Sequence, residues 1–234
     1  MLCEHLFRPL AHAVVVPLAW VRVPPPAVVL LAAAVGITGA VELARGQFVV
    51  AALLVQLKTV LDNADGQLAR LTGRTSAFGR YLDSEFDLLV NAALFAGLAW
   101  TTAQPAVALA GFIALTSVLS LNFNAERLCR RVPAEPEPGP EGRPTALLRR
   151  GYQLVYAPQD RLAESLVARR PALAESTAVS LLANLGMSTQ LGAFGLLLAF
   201  GHPLAFAWLA LAELAVIALA LLPRRVPRRQ EEIA

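Results

Sequence analysis

Charge is scarce in this sequence, and its gaps are long. Only 16% of the 234 residues are charged, and none falls between Asp87 and Glu126 or between Glu175 and Glu213. A soluble domain rarely leaves two such stretches uncharged, and each is long enough for two bilayer crossings with a turn between them. Cysteine is almost absent: Cys3 and Cys129 are too few and too far apart for a disulfide framework or a zinc site. Aromatics make up 7%, with no interleaving of aromatic and basic residues, so nucleic acid is not expected as a partner. An apolar content of 56% and a mean hydropathy of +0.57 exclude disorder and collagen-like or disulfide-stapled secreted classes. What remains is an all-α, polytopic membrane protein.

Six transmembrane helices are expected: Ala27–Ala44, Phe48–Arg70, Phe78–Trp100, Pro105–Asn122, Ala178–Phe200 and Leu204–Leu222. Each is close to the ~20 residues that cross a hydrocarbon core. Short connectors with turn residues (Arg45 to Gln47, Thr101 to Gln104, Gly201 to Pro203) make neighbouring helices antiparallel. Arginines set the orientation. Arg8 and Arg22 precede the first span; Arg70, Arg74 and Arg80 sit at the second junction. Nine lie from Arg127 to Arg170, and Arg224, Arg225, Arg228 and Arg229 follow the last span, against Arg45 alone on the other side. The positive-inside rule then places both termini and both long connectors in the cytoplasm, in the cell membrane.

Residues 1–26 read as an interfacial helix on the cytoplasmic leaflet. Pro17 and Pro24-Pro25-Pro26 interrupt the apolar run, and no convincing cleavage site follows it. The membrane domain is 27–222, with a cytoplasmic insertion at 125–177 and a basic tail at 223–234. Within the insertion, Val132 to Pro144 reads as a linker. Leu147, Leu148, Tyr152, Val155 and Tyr156 mark one surface helix, Leu162 and Leu166 a second, with a turn at Tyr156 to Asp160. A net charge of +3 and a pI near 9.3 suit anionic headgroups, making membrane lipids an expected partner.

Aspartate placement carries the chemistry. Of five aspartates, Asp62, Asp65, Asp83 and Asp87 fall within 26 residues, two at the end of the second span and two at the start of the third. Spacings of three and four put each pair on one helix face. Gly66, Gly73, Thr75 and Ser76 lie between and let the chain turn, so antiparallel helices would gather both pairs in one cleft. Four like charges at a membrane edge are costly without cations. Hard divalent ions resolve this, and a two-Mg²⁺ site suits a phosphoryl-type displacement. Mn²⁺ is an acceptable substitute.

The stretch Asp62-x2-Asp65-Gly66-x2-Ala69-Arg70-x8-Gly79-x3-Asp83-x3-Asp87 resembles the signature of the CDP-alcohol phosphotransferase family at every defined position. The resemblance implies a dimeric integral membrane enzyme that joins a CDP-activated group to an alcohol and releases CMP. It implies that Asp62 and Asp83 bridge two metal ions, that Asp65 completes one site and Asp87 the other, and that Asp87 is also the general base. It further implies CDP contacts by Gly66, Ala69, Arg70, Ser76 and Gly79, with Gly79 permitting close packing. Donors are CDP-linked lipids, CDP-diacylglycerol first, or a polar CDP-alcohol; the acceptor is an alcohol. The sequence departs from many phosphatidyltransferases at Pro24 to Val29, which lacks their Asn and Thr. It departs again at Leu88, where phosphorylated-acceptor branches often carry a base.

Elsewhere, Arg127, Arg130, Arg131, Arg149 and Arg150 read as topology-setting charges, ahead of the alternative that they bind a phosphorylated acceptor at the cytoplasmic mouth. Glu42 and Glu213 fall within apolar spans; Glu42 reads as near the outer surface, and the deeper Glu213 asks for a partner helix. Asn184, Ser188, Thr189 and Gln190 form a polar stripe that reads as interhelical glue. Gly36 and Gly39 are too common a spacing to argue from. Two other classes share acidic helix ends. A UbiA-like prenyltransferase needs more spans and does not require the glycines and Arg70 together; a divalent-cation transporter places carboxylates at the midplane, with repeat symmetry.

Overall fold

The computed structural model describes residues 2–130, 142–169 and 182–220. Arg131, most of the expected linker, Ala178 to Leu181 of the fifth expected span, Leu221 and Leu222 of the sixth, and the basic tail lie outside them. Among the described residues there are eight α-helices and no strand: α1 (Leu2–Trp20), α2 (Pro25–Ala44), α3 (Phe48–Leu71), α4 (Ala77–Thr102), α5 (Pro105–Arg130), α6 (Arg143–Arg169), α7 (Met187–Ala199) and α8 (Pro203–Ala220).

Proline and glycine set the boundaries. Pro24 caps α2, and prolines fill its first two positions, where a missing N–H costs nothing. At the end of α3, Gly73 takes φ +65° while Arg74 N–H reaches back to Ala69 O at 2.9 Å. Ser76 then caps α4, its hydroxyl accepting from Gly79 N–H at 3.0 Å. The reversal between the two halves of the aspartate motif is thus built from a left-handed glycine and a serine cap.

The core of the described residues has three clusters, one of them formed by Val118, Leu121 and Ala125 of α5 with Ala163 and Val167 of α6. A large cluster joins α2, α3, α4, α5, α7 and α8, with Phe95, Phe194 and Phe206 at its centre; the Phe194 and Phe206 rings stack at 4.4 Å. A smaller cluster packs Ala11 and Val15 of α1 against Val28 and Ala32 of α2 and Leu61, Ala64 and Leu68 of α3. Small residues allow the helices to close. A Cβ on Gly97 would lie 2.7 Å from Ala40 O, and one on Gly111 would lie 2.7 Å from the Ala207 Cβ. The exterior is apolar on most helices, with Leu30, Leu53, Leu89, Leu109, Leu196, Trp208 and Val216 exposed. By length and composition, Pro25–Ala44 and Pro105–Cys129 can cross a membrane.

Three expectations need correction. The fifth span is not one continuous helix. A 3-10 turn at Ala183–Leu185 and an extended Gly186 precede α7, because glycine is a poor helix former and serves here as the cap. The fourth span does not stop at Asn122, since α5 runs on to Arg130. The insertion's two short helices are one, α6, with Pro158 inside it rather than in a turn. Packing overrides the local break: Ala163 and Val167 bury against Val118, Leu121 and Ala125 of α5. The expected α3–α4 cleft is present, but the two helix backbones do not pack closely across it. Instead α2 packs against both and forms the floor of a gap between them.

Candidate active site

Lys58, Asp62, Asp65 and Ala69 follow one another along α3 at intervals of three and four, so they share a face. Asp83 and Asp87 do the same on α4. The α3–α4 gap brings these faces opposite each other, and one carboxylate oxygen from each of Asp62, Asp83 and Asp87 lies within 4.8 Å of the others. Asp65 stands outside this trio. It is 7% exposed, and its Oδ2 is buried with no hydrogen-bond partner.

A hard, all-oxygen donor set and an orphaned buried carboxylate oxygen fit a divalent cation. Desolvating a carboxylate without a partner is costly, and a cation removes that cost. Asp62, Asp83 and Asp87, with Asp65 beside them, are the residues that would hold it.

Beside the aspartates opens a cavity of about 460 Å³. Asp65, Gly66, Ala69 and Arg70 of α3, the loop residues Arg74 to Ser76, and Gly79, Arg80 and Asp83 of α4 line it. Pro25, Pro26 and Val29 close it on the α2 side. Its size lies within the usual range for a small-molecule site. Every CDP-contact residue implied by the motif therefore faces one space, although those residues are divided between two helices and a loop.

Local geometry refines several of these positions. The Arg70 guanidinium folds over Gly66, where a Cβ would come 3.3 Å from it. Ser76 is occupied as a cap acceptor, which leaves its O–H to donate. Gly79 is not a helix-packing glycine: a Cβ there would meet only Ser76 Oγ, at 3.3 Å, and its backbone faces the cavity.

The sequence pattern does not single out Lys58, Arg74, Thr75 or Arg80 as site residues. Arg74 and Arg80 pass for topology charges because the positive-inside rule already explains them. A signal for Lys58 was present: it is the only lysine in the chain and stands one turn before Asp62.

At the same end of α4, α6 covers the helix start. Tyr156 donates to Ser84 O at 3.0 Å, and the Tyr152 ring meets Tyr81 edge-on at 5.5 Å. Asp160 Oδ2 accepts from Tyr152 at 3.0 Å, while its Oδ1 accepts from Ser120 and from Asn124 at 3.1 and 2.7 Å. Arg127 pairs with Glu164 and fastens α6 to α5. Polar pairs also join the far helices: Gln190 donates to Glu213 at 2.6 Å, and Asn63 donates to Ser188 at 3.0 Å. Glu213 thus has its partner helix, and Ser188 and Gln190 of the stripe join helices. Glu42 pairs with Arg45.

Burial, followed by the Asp160 charge, holds the Tyr152 phenol well above its usual range. A group whose pKa is raised on folding contributes stability below its unfolded value, and that contribution is lost as pH rises above about 10. Tyr152→Phe should therefore be less stable than wild type at neutral pH, by about 1 kcal/mol. The gap should narrow and then reverse in strong alkali. Thermal unfolding of both proteins across the alkaline range checks this, and a difference independent of pH would contradict it.

Comparison with known proteins agrees with the motif. Residues 21–222 match the family model described as CDP-alcohol phosphatidyltransferase. The chain is 34% identical over 103 residues to the bifunctional IPC transferase and DIPP synthase of Rubrobacter xylanophilus, covering 44% of this chain and 24% of that protein. It is 41% identical over 78 residues to the phosphatidylinositol phosphate synthase of Streptomyces avermitilis, covering 33% and 32%. It is 41% identical over 51 residues to the archaetidylinositol phosphate synthase of Pyrococcus horikoshii, covering 22% and 27%. In each case the match spans less than a third of the relative's length. The chain has no significant match among solved structures. With the family model covering most of its length, the chain belongs to the CDP-alcohol phosphatidyltransferase family, whose members are transferases of substituted phosphate groups.

Proposed function

We propose that the protein is an integral membrane enzyme of phospholipid biosynthesis that transfers the phosphatidyl group of CDP-diacylglycerol to an alcohol and releases CMP. The observation that carries this reading is one cavity lined by the implied CDP contacts Gly66, Ala69, Arg70, Ser76 and Gly79 together with Asp65 and Asp83, the latter shared with the Asp62, Asp83 and Asp87 group.

The acceptor hydroxyl oxygen attacks the β-phosphorus, the one bonded to the lipid oxygen, and Asp87 takes the hydroxyl proton. The bond from that phosphorus to the bridging oxygen breaks, and CMP leaves with the bridging oxygen. Two bound Mg²⁺ ions would neutralise charge on the attacking and leaving oxygens. Arg70 offers a planar, permanently charged fork to the departing phosphate. Gly66 lets the nucleotide approach the α3 backbone, and Ala69 keeps that face low. The apolar Pro25, Pro26 and Val29 wall suits acyl chains entering sideways from the bilayer.

The relatives' names point to inositol phosphates as the acceptor class, and Arg74 and Arg80 on the cavity wall suit a phosphorylated alcohol. Six crossings, by α2, α3, α4, α5, the Ala178–Phe200 segment that contains α7, and α8, with an interfacial α1 and cytoplasmic termini, complete the arrangement, supported by the arginine distribution and the apolar exterior. A homodimer is the family expectation.

The test is CMP release from purified, lipid-reconstituted protein with CDP-diacylglycerol and Mg²⁺. Glycerol 3-phosphate, inositol, inositol 1-phosphate and serine are offered in turn. CMP release that depends on inositol 1-phosphate is the expected result. No CMP with any acceptor would overturn CDP-diacylglycerol as donor and favour a polar CDP-alcohol.

A further inference from the structure

Lys58 has no place in the motif, yet it sits inside the carboxylate cluster. It is 3% exposed, and its Nζ lies 3.0 Å from Asp62 Oδ1 and in contact with Asp87 Oδ1. Val29, Ala32, Ala33, Phe86 and Val90 wall the pocket that encloses it. Its stem passes Gly36 of α2, where a Cβ would lie 3.2 Å from Lys58 Cγ and 2.5 Å from Val90 Cγ1. The glycine leaves a lane in which the lysine reaches inward, and an ammonium in such surroundings is tolerable only when paired.

Asp62 and Asp87 are two of the three residues whose oxygens converge as a cation-binding group. The ammonium and a divalent ion bridging that group would draw on the same two carboxylates. Charge favours sharing over filling. With one divalent cation, four ionised aspartates and Lys58 leave a single net negative charge; with two, the cluster becomes net positive. Like charges held a few ångströms apart in a poorly solvated pocket repel strongly.

We infer that Lys58 is a resident counter-cation. It holds Asp62 and Asp87 together in the metal-free protein and makes the divalent-ion position that includes them the weaker of two. This rests on the metal-binding reading above. The pocket then takes one divalent ion tightly and a second only against the ammonium. Lys58 is a positioning residue in this account and touches no reacting atom.

Mn²⁺ binding to the full chain in detergent micelles, followed by the electron paramagnetic resonance of free Mn²⁺, tests this without any substrate. Wild type should bind one ion tightly and a second at least about tenfold more weakly. Lys58→Met should tighten that second site by about tenfold or more, and should unfold at lower temperature than wild type in EDTA, with the loss reversed by Mn²⁺. Lys58→Arg, which keeps the charge, should retain the wild-type difference between the sites. Two equally tight ions in wild type would overturn the inference, even if Lys58→Met failed to fold. Unchanged affinities in Lys58→Met would do so as well. Failure of every protein to bind Mn²⁺ would instead bring down the metal-binding reading itself.

Discussion

Asp87→Asn is expected to lower CMP release by about three orders of magnitude while CMP binding remains measurable. The side chain keeps its shape and can still offer an oxygen to Lys58, so the local packing of α4 should survive. What it loses is the charge that, in the proposed displacement, accepts the acceptor's proton and draws in a cation. The comparison that decides the role is turnover against nucleotide affinity, measured on the same preparation. An asparagine variant with near-normal turnover would remove Asp87 from the general-base position. Equal loss of turnover and nucleotide binding would mean that the substitution has disturbed the cavity rather than the chemistry.

Removal of divalent cations should be comparably severe. In the proposed displacement both the attacking and the leaving oxygen carry developing negative charge beside four carboxylates. Arg70 alone cannot offset that repulsion. Bound cations in such sites supply several kcal/mol, and about 4 kcal/mol corresponds to about three decades in rate. EDTA should therefore reduce CMP release to background, with recovery on adding Mg²⁺ or Mn²⁺ and none on adding monovalent salt. Activity that survives chelation would exclude a metal-assisted displacement. The lost rate should return without refolding, because Lys58 keeps Asp62 and Asp87 paired when the ions are gone.

The all-helical class, the Phe48 start of the second span and the eight-position motif are legible in the residues alone, since they depend on local composition and spacing. The aspartates could be grouped from sequence for the same reason: intervals of three and four leave each pair on one face whatever surrounds the helix. Other features depended on which helix lies beside which. Whether the α3–α4 gap is tight or open follows from α2 packing on both, through small residues such as Gly36, Gly39 and Gly97 whose spacing carries no signal of its own. The continuity of α6 through Pro158 is a tertiary outcome, because burial of Ala163 and Val167 and the ties on Asp160 outweigh a local helix breaker. Lys58 belongs to the same group. A lone lysine in an apolar helix is legible as an anomaly, but Asp62 is on its own helix and Asp87 is 29 residues away. Only the fold of three helices around one pocket turns that charge into a counter-cation, because desolvation penalises every arrangement in which it is left unpaired.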